Sequence, residues 1–122
     1  MHLVATILVG LVAVEHLYIL VLEMFLWETK RGRRAFGTTA ETAAITAPLA
    51  KNQGLYNGFL AAGLIYGLVA RDPAVAFQFQ VFFSACVAAA GIYGGMTLPK
   101  IFLVQGIPGL AALVAVLLAR FA

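Results

Sequence analysis

Residues 73–99 contain no charged side chain, and neither do residues 101–119. A third stretch, residues 3–14, opens an apolar run that continues with few interruptions to Trp27. Uncharged runs of this length constrain the chain more than any motif in it, because a small domain buries the least of its surface and cannot hide them. Of 122 residues, 63% are hydrophobic and 11% are charged, where a soluble domain carries about 25% charged residues. A bilayer is the solvent that fits. The composition argues against a soluble enzyme, a nucleic-acid binder, a disordered chain and a disulfide scaffold. The net charge of +3 is no nucleic-acid footprint, since Lys30, Arg31, Arg33 and Arg34 crowd one short segment. Cys86, the single cysteine, permits no internal disulfide.

A helical span needs roughly 20 mostly apolar residues, and four segments qualify: 2–27, 47–69, 73–97 and 100–121. They predict an all-α integral membrane protein, one domain over residues 1–122, folded as an up-down bundle of four transmembrane helices. Pro73 and Pro99 stand where helices start, which suits the fixed φ and missing donor of proline. A polar loop over 28–46 separates the first two spans. Within it, Thr38-Thr39-Ala40-Glu41 has the capping-box pattern, so the second helix is expected to begin outside the bilayer. The first span is not read as a cleaved signal peptide: it lacks a basic leading region, is too long, and holds three ionisable residues, Glu15, His16 and Glu23, in its interior.

Lys and Arg in short loops orient a membrane protein. The first loop has Lys30, Arg31, Arg33 and Arg34, with Lys51 just beyond, and the third has Lys100. On the other side Arg71 is neutralised by Asp72, leaving Arg120. Loops one and three are therefore expected to face the cytoplasm, with both termini on the non-cytoplasmic side of a bacterial inner membrane. Gly54 with Gly58, Gly63 with Gly67, and Gly91 with Gly95 form small-xxx-small pairs that let helix backbones approach closely in lipid, within one bundle or between subunits.

Against this background the polar residues inside spans stand out. Ionisable side chains there cost about 2.5–3.5 kcal/mol on insertion scales, and the first span holds Glu15, His16 and Glu23. At about 1.5 Å per residue, Glu23 lies roughly 6 Å inside Trp27, and Glu15 and His16 roughly 16–18 Å inside it, near the midplane. His16 and Glu23 share a helix face but sit about 10 Å apart along the axis, too far to ligate one metal; no metal site is expected. Glu15 and His16 read either as a buried polar pair that fixes helix register or as a proton acceptor and ligand-binding pair. Glu23 either reaches the interface to pair with a loop arginine or serves a site.

The second span opens with Asn52, Gln53, Tyr56 and Asn57. Gln53 and Asn57 share one face, and Asn52 and Tyr56 the neighbouring one. Gln105 lies in the fourth span, three residues before Pro108, which frees a carbonyl one turn earlier. Glu23, the Asn52–Asn57 group and Gln105 should lie at one depth, within about 10 Å of the cytoplasmic surface. Such convergence describes a ligand site or a polar packing layer. The basic loop above it attracts anions or serves only as the orientation signal. Cys86 reads as a small packing residue, and Gln78 and Gln80 as interfacial. No zinc motif, P-loop, dinucleotide fingerprint or nucleophile elbow occurs.

Glu15-His16-x-Tyr18-Ile19 with Leu22-Glu23-Met24, followed by Asn52-Gln53-Gly54-x-Tyr56-Asn57-Gly58, resembles a family of small four-span bacterial membrane proteins labelled a domain of unknown function. A second resemblance is to the MAPEG superfamily (membrane-associated proteins in eicosanoid and glutathione metabolism). It is carried by Arg33-Arg34-Ala35-Phe36; by Phe59-Leu60 with Gly63 and Tyr66; by Asp72-Pro73 and Ala76-Phe77; and by Pro99 and Pro108. This resemblance implies a homotrimer of four-helix bundles with sites between subunits, toward the cytoplasm. It also implies glutathione as a ligand. Of the residues that bind it in the superfamily, Asn52, alone or with Lys51, is the remnant, while Ile101, Phe102 and Cys86 depart from the pattern. No cofactor is therefore expected.

The reading that follows is a membrane protein that binds or converts a membrane lipid or other lipophilic small molecule, without nucleic acid. Glu15, His16, Asn52, Gln53, Tyr56, Asn57 and Gln105 are the expected ligand-binding residues. Glu23 is the expected general acid or base if the protein is an enzyme, because proton transfer needs a titratable group. The alternatives are a small proton-coupled transporter or efflux subunit working through Glu15 and His16, and a non-catalytic structural subunit.

Overall fold

A computed structural model describes residues 1–122. The chain forms five helices and no strand: α1 (His2–Met24), α2 (Lys30–Phe36), α3 (Ala40–Val69), α4 (Pro73–Thr97) and α5 (Pro99–Phe121). Three of them, α1, α4 and α5, are long and apolar enough to cross a membrane. Helix α3 is 30 residues long and contains the predicted second span, but Lys51, Asn52, Gln53 and Asn57 dilute its apolar character.

Pro73 and Pro99 begin helices as their chemistry predicts. The Asp72 carboxylate caps α4 by accepting from the Ala74 amide at 2.8 Å. Leu98 is extended at φ −132° and ψ 100°, since a following proline disfavours the helical conformation.

Three boundaries differ from the sequence reading. Helix α1 stops at Met24 rather than near Trp27: the Phe25 amide makes the last regular bond, to the Val21 carbonyl at 3.0 Å, and the Leu26 amide reaches five residues back to that same carbonyl at 3.1 Å instead of to Leu22. The segment 28–46 is not a loop. Thr29 accepts from the Gly32 amide at 3.3 Å and starts α2, and Gly37, at φ 63° and ψ 37°, ends it in the left-handed conformation that glycine adopts without penalty. Helix α3 then begins at Ala40. Its cap is Thr39, whose hydroxyl accepts from the Thr42 amide at 3.2 Å, one residue past the Thr38–Glu41 pattern. Pro48 therefore falls in the interior of α3, where it removes one backbone hydrogen bond.

The helices form two compact units, and α1 and α3 contribute to both. The first comprises Met1–Val14 and Leu60–Ala122. Its core is built from small and branched residues, among them Val9, Val12, Leu64, Val87, Ala112 and Val116. Such residues let α4 and α5 touch through backbone: a Cβ on Gly91 would collide with the main chain of Gln105 and Gly106, and one on Gly109 would lie 2.7 Å from the Ala88 nitrogen. Opposite Gly91, α5 widens over Phe102–Gly106, where the Ile107 amide reaches five residues back to the Phe102 carbonyl. Pro108, which offers no amide to the carbonyl four residues before it, follows directly. Gly67 meets Gln80, whose side-chain amide donates to the Gly67 carbonyl at 2.9 Å. Gln80 is thus a helix-pairing residue.

The second unit is Glu15–Phe59. Here α1 and α3 pack at Gly54, where an added Cβ would stand 2.6 Å from the Met24 side chain and 3.1 Å from Glu23 Cβ, and at Gly58, where it would meet Leu20 at 2.7 Å. Trp27 ties the two helices further. Its indole N–H donates to Thr46 at 3.1 Å, and its ring packs on Phe36 of α2 at 4.8 Å between centroids.

Candidate functional site

The buried stripe of α1 runs through Ala5, Val9, Val12, His16 and Glu23, the three- and four-residue spacing of one helix face. It is apolar until His16 and then carries two ionisable groups, His16 fully buried and Glu23 with 7% of its surface exposed. The shared face expected for these two residues is the buried one.

Burial makes a carboxylate costly unless a donor satisfies it. For Glu23 the donor is Asn57 of α3, whose Nδ2 gives a hydrogen bond of 2.6 Å to Oε1. The same Nδ2 donates to the Gln53 carbonyl one turn earlier, at 3.2 Å, which holds the amide against its own helix. Gly54 makes the pairing possible: without a Cβ it brings the α3 backbone onto Glu23 and Met24. Glu23 and Asn57 are 34 residues apart in sequence, and they form the closest polar side-chain pair in this unit. Glu23 pairs with this amide rather than with an arginine of the basic segment.

Among the other expected site residues, Gln53 contributes its main-chain carbonyl, while its side chain and that of Asn52 are exposed. Tyr56 is exposed and sets its ring edge-on to Phe59 at 5.8 Å. His16 Nδ1 lies 3.9 Å from Glu15 Oε1, and that oxygen is buried without a hydrogen bond. Gln105 belongs to the other compact unit, in the widened turn of α5 beside the Gly91 contact.

Sequence reasoning named both Glu23 and Asn57 but not their direct bond. The signal lay in Gly54 and Gly58, which bracket Asn57 at helical spacing and mark the face of α3 that meets α1. Leu20 and Met24, which line that contact, carry no polar signal to find them by.

The fold and site define an all-helical protein with three helices fit to cross a membrane and one buried carboxylate–amide pair between two helices. Residues 10–117 match the family described as "Protein of unknown function (DUF1304)", and the chain belongs to that family. It is also similar to "Uncharacterized protein YpaA" of Lactococcus lactis subsp. lactis (strain IL1403), at 34% identity over 116 residues, which cover 93% of this chain and 94% of that protein. No solved structure matches.

Proposed function

We propose that this chain is an integral membrane protein that binds a lipophilic small molecule through Glu23 and Asn57. In this reading α3 crosses the bilayer with α1, α4 and α5, the basic segment after α1 faces the cytoplasm, and the termini lie on the opposite side. The observation that carries it is the 2.6 Å bond between a carboxylate and an amide on two helices. An ionisable residue at membrane depth is costly and marks a functional site by default. Glu23 Oε1 is held by Asn57, and Oε2 is the atom offered to a polar group on the ligand. Gln53, Asn52 and Tyr56 extend that polar edge along α3. If the bound molecule is converted, Glu23 is the proton donor or acceptor. A MAPEG-like trimer, with sites completed between subunits, is the assembly that the order of motifs supports.

A second reading rests on Glu15 and His16. A buried carboxylate oxygen without a hydrogen bond, 3.9 Å from an imidazole nitrogen, suits a proton carrier near the midplane. It makes the chain a small proton-coupled transporter.

The test is mass spectrometry of lipophiles that co-purify with the chain in mild detergent. The first reading expects a stoichiometric molecule that Glu23→Gln loses while the oligomer persists. A bound molecule retained by Glu23→Gln and lost by Glu15→Gln overturns it in favour of the second.

A further inference from the structure

Helix α2 carries Lys30, Arg31, Arg33 and Arg34 within seven residues. None of the four is paired with a carboxylate, and the buried Nε of Arg33 makes no hydrogen bond. Lys30 with Arg33 and Arg34, and Arg31 with Arg34, stand three or four apart, where like charges destabilise a helix. A helix this short has no stability of its own in water. Tertiary ties hold it instead. Thr29 caps its start and Gly37 its end, Gly32 presses on the carbonyls of Leu26 and Trp27 with no room for a Cβ, and Phe36 packs on Trp27, itself bonded to Thr46. The fold thus spends several contacts on holding uncompensated cations in a fixed patch.

We propose that α2 is a docking surface for anionic phospholipid headgroups, its basic side chains taking up phosphate oxygens. The proposal rests on the reading of α1 as a membrane span, which puts α2 at the bilayer surface. Charge complementarity favours a lipid surface, since basic clusters that directly follow a span attract anionic lipids and arginine forks match phosphate geometry. The aromatics point the same way. Phe25 and Phe36 are exposed on either side of the cations, and tryptophan, here Trp27, favours the membrane interface. Lys30, Arg31 and Arg34 are themselves exposed, an open patch suited to a surface rather than an enclosing pocket for a soluble anion.

Trp27 is the single tryptophan and touches α2, so its fluorescence reports on the lipid beside the patch. The full chain is reconstituted in bilayers of phosphatidylcholine and phosphatidylglycerol at equal mole fractions, one lipid or the other brominated as a quencher. Brominated phosphatidylglycerol should quench Trp27 more strongly, equivalent to a local enrichment of at least about five-fold, and the enrichment should fall as salt is raised. The K30Q/R31Q/R33Q/R34Q variant should lose it. The R31K/R33K/R34K variant, which keeps the charge, should retain most of it. Equal quenching by both lipids in the native chain, a salt-insensitive enrichment, or enrichment that survives in the neutral variant overturns the proposal. So does loss of enrichment on adding soluble glycerol phosphate, which assigns the patch to a soluble ligand. Quenching by neither lipid overturns the membrane reading of α1, and the docking surface falls with it.

Discussion

Asn57 of α3 donates to Glu23 of α1 across 2.6 Å, and the same amide is steadied by the Gln53 carbonyl at 3.2 Å. The bond is a strut between two helices as well as a candidate site, and the two roles separate by substitution. Asn57→Ala leaves a buried carboxylate oxygen without a donor and should cost about 1–3 kcal/mol. Glu23→Gln keeps an acceptor oxygen for the Asn57 amide and should cost less than about 1 kcal/mol. Thermal unfolding of both single variants and the double variant in detergent measures the coupling. Purely additive losses would mean the bond contributes nothing to stability.

Glycines at helix contacts should differ in their tolerance of a methyl group. Gly91→Ala collides with the backbone of Gln105 and Gly106, which cannot move without separating α4 from α5, and should cost about 1–3 kcal/mol or more. Gly58→Ala meets only the end of the Leu20 side chain and should cost less. Nothing lies within 4 Å of a Cβ on Gly10, so Gly10→Ala should be neutral or stabilise α1 by up to about 1 kcal/mol. An unfolding series in which Gly10→Ala is the worst of the three would refute the packing described here.

Gly37→Ala should loosen α2, because φ 63° at this position costs a residue with a Cβ about 1–2 kcal/mol. Gly37→Asn should be better tolerated, since asparagine visits this conformation more readily. Amide hydrogen exchange over 30–37 reads the effect directly. Protection unchanged in the alanine variant would show that Gly37 does not hold the turn.

Much of this architecture was legible before the structure, and the parts that were not share a cause. Pro73, Pro99 and Asp72 announce their helix ends locally, through a fixed φ and a side chain that bonds its own backbone. Trp27 and the basic run after it announce a boundary in hydropathy, but the helix ends three residues earlier, through a choice of carbonyl at Val21 that composition does not encode. Helix α2 was invisible for a related reason. Four cations and an internal glycine argue against a helix, and only the contacts of Trp27, Phe36 and Gly32 outweigh them. At the site, Glu23 and Asn57 are recognisable as polar residues within largely apolar stretches. Their bond depends on how α1 and α3 cross at Gly54, which is a property of two helices and of neither sequence alone.

Topology is open to a direct measurement. Cys86 is the free thiol of the native chain, so the background is Cys86→Ala, with single cysteines placed at His2 and at Gly37. A membrane-impermeant maleimide added to intact cells should label the cysteine at position 2 and spare the one at 37. The charge distribution predicts that the positive segment faces inside, and α1 is long enough to separate the two positions. Labelling of the position 37 cysteine from outside would reverse the orientation and move the Glu23–Asn57 pair to the outer half.

Depth also separates the two functional readings. A carrier must expose its titratable group to both sides in turn, so its essential residue belongs near the midplane. In the membrane reading Glu15 and His16 fall there, two turns further along α1 from Trp27 than Glu23. A site of the MAPEG-like kind opens toward one face, and it needs Glu23 with Asn57. The expected result is that Glu23→Gln loses the co-purified lipophile and keeps its oligomer, while Glu15→Gln keeps the lipophile and shifts unfolding by about 1–3 kcal/mol through an altered buried polar contact. Proton uptake in vesicles supplies the independent arm: under the binding reading neither variant changes it. A proton flux in the native chain that Glu15→Gln or His16→Ala abolishes would make Glu15 and His16 the working centre, and Glu23 with Asn57 a structural strut.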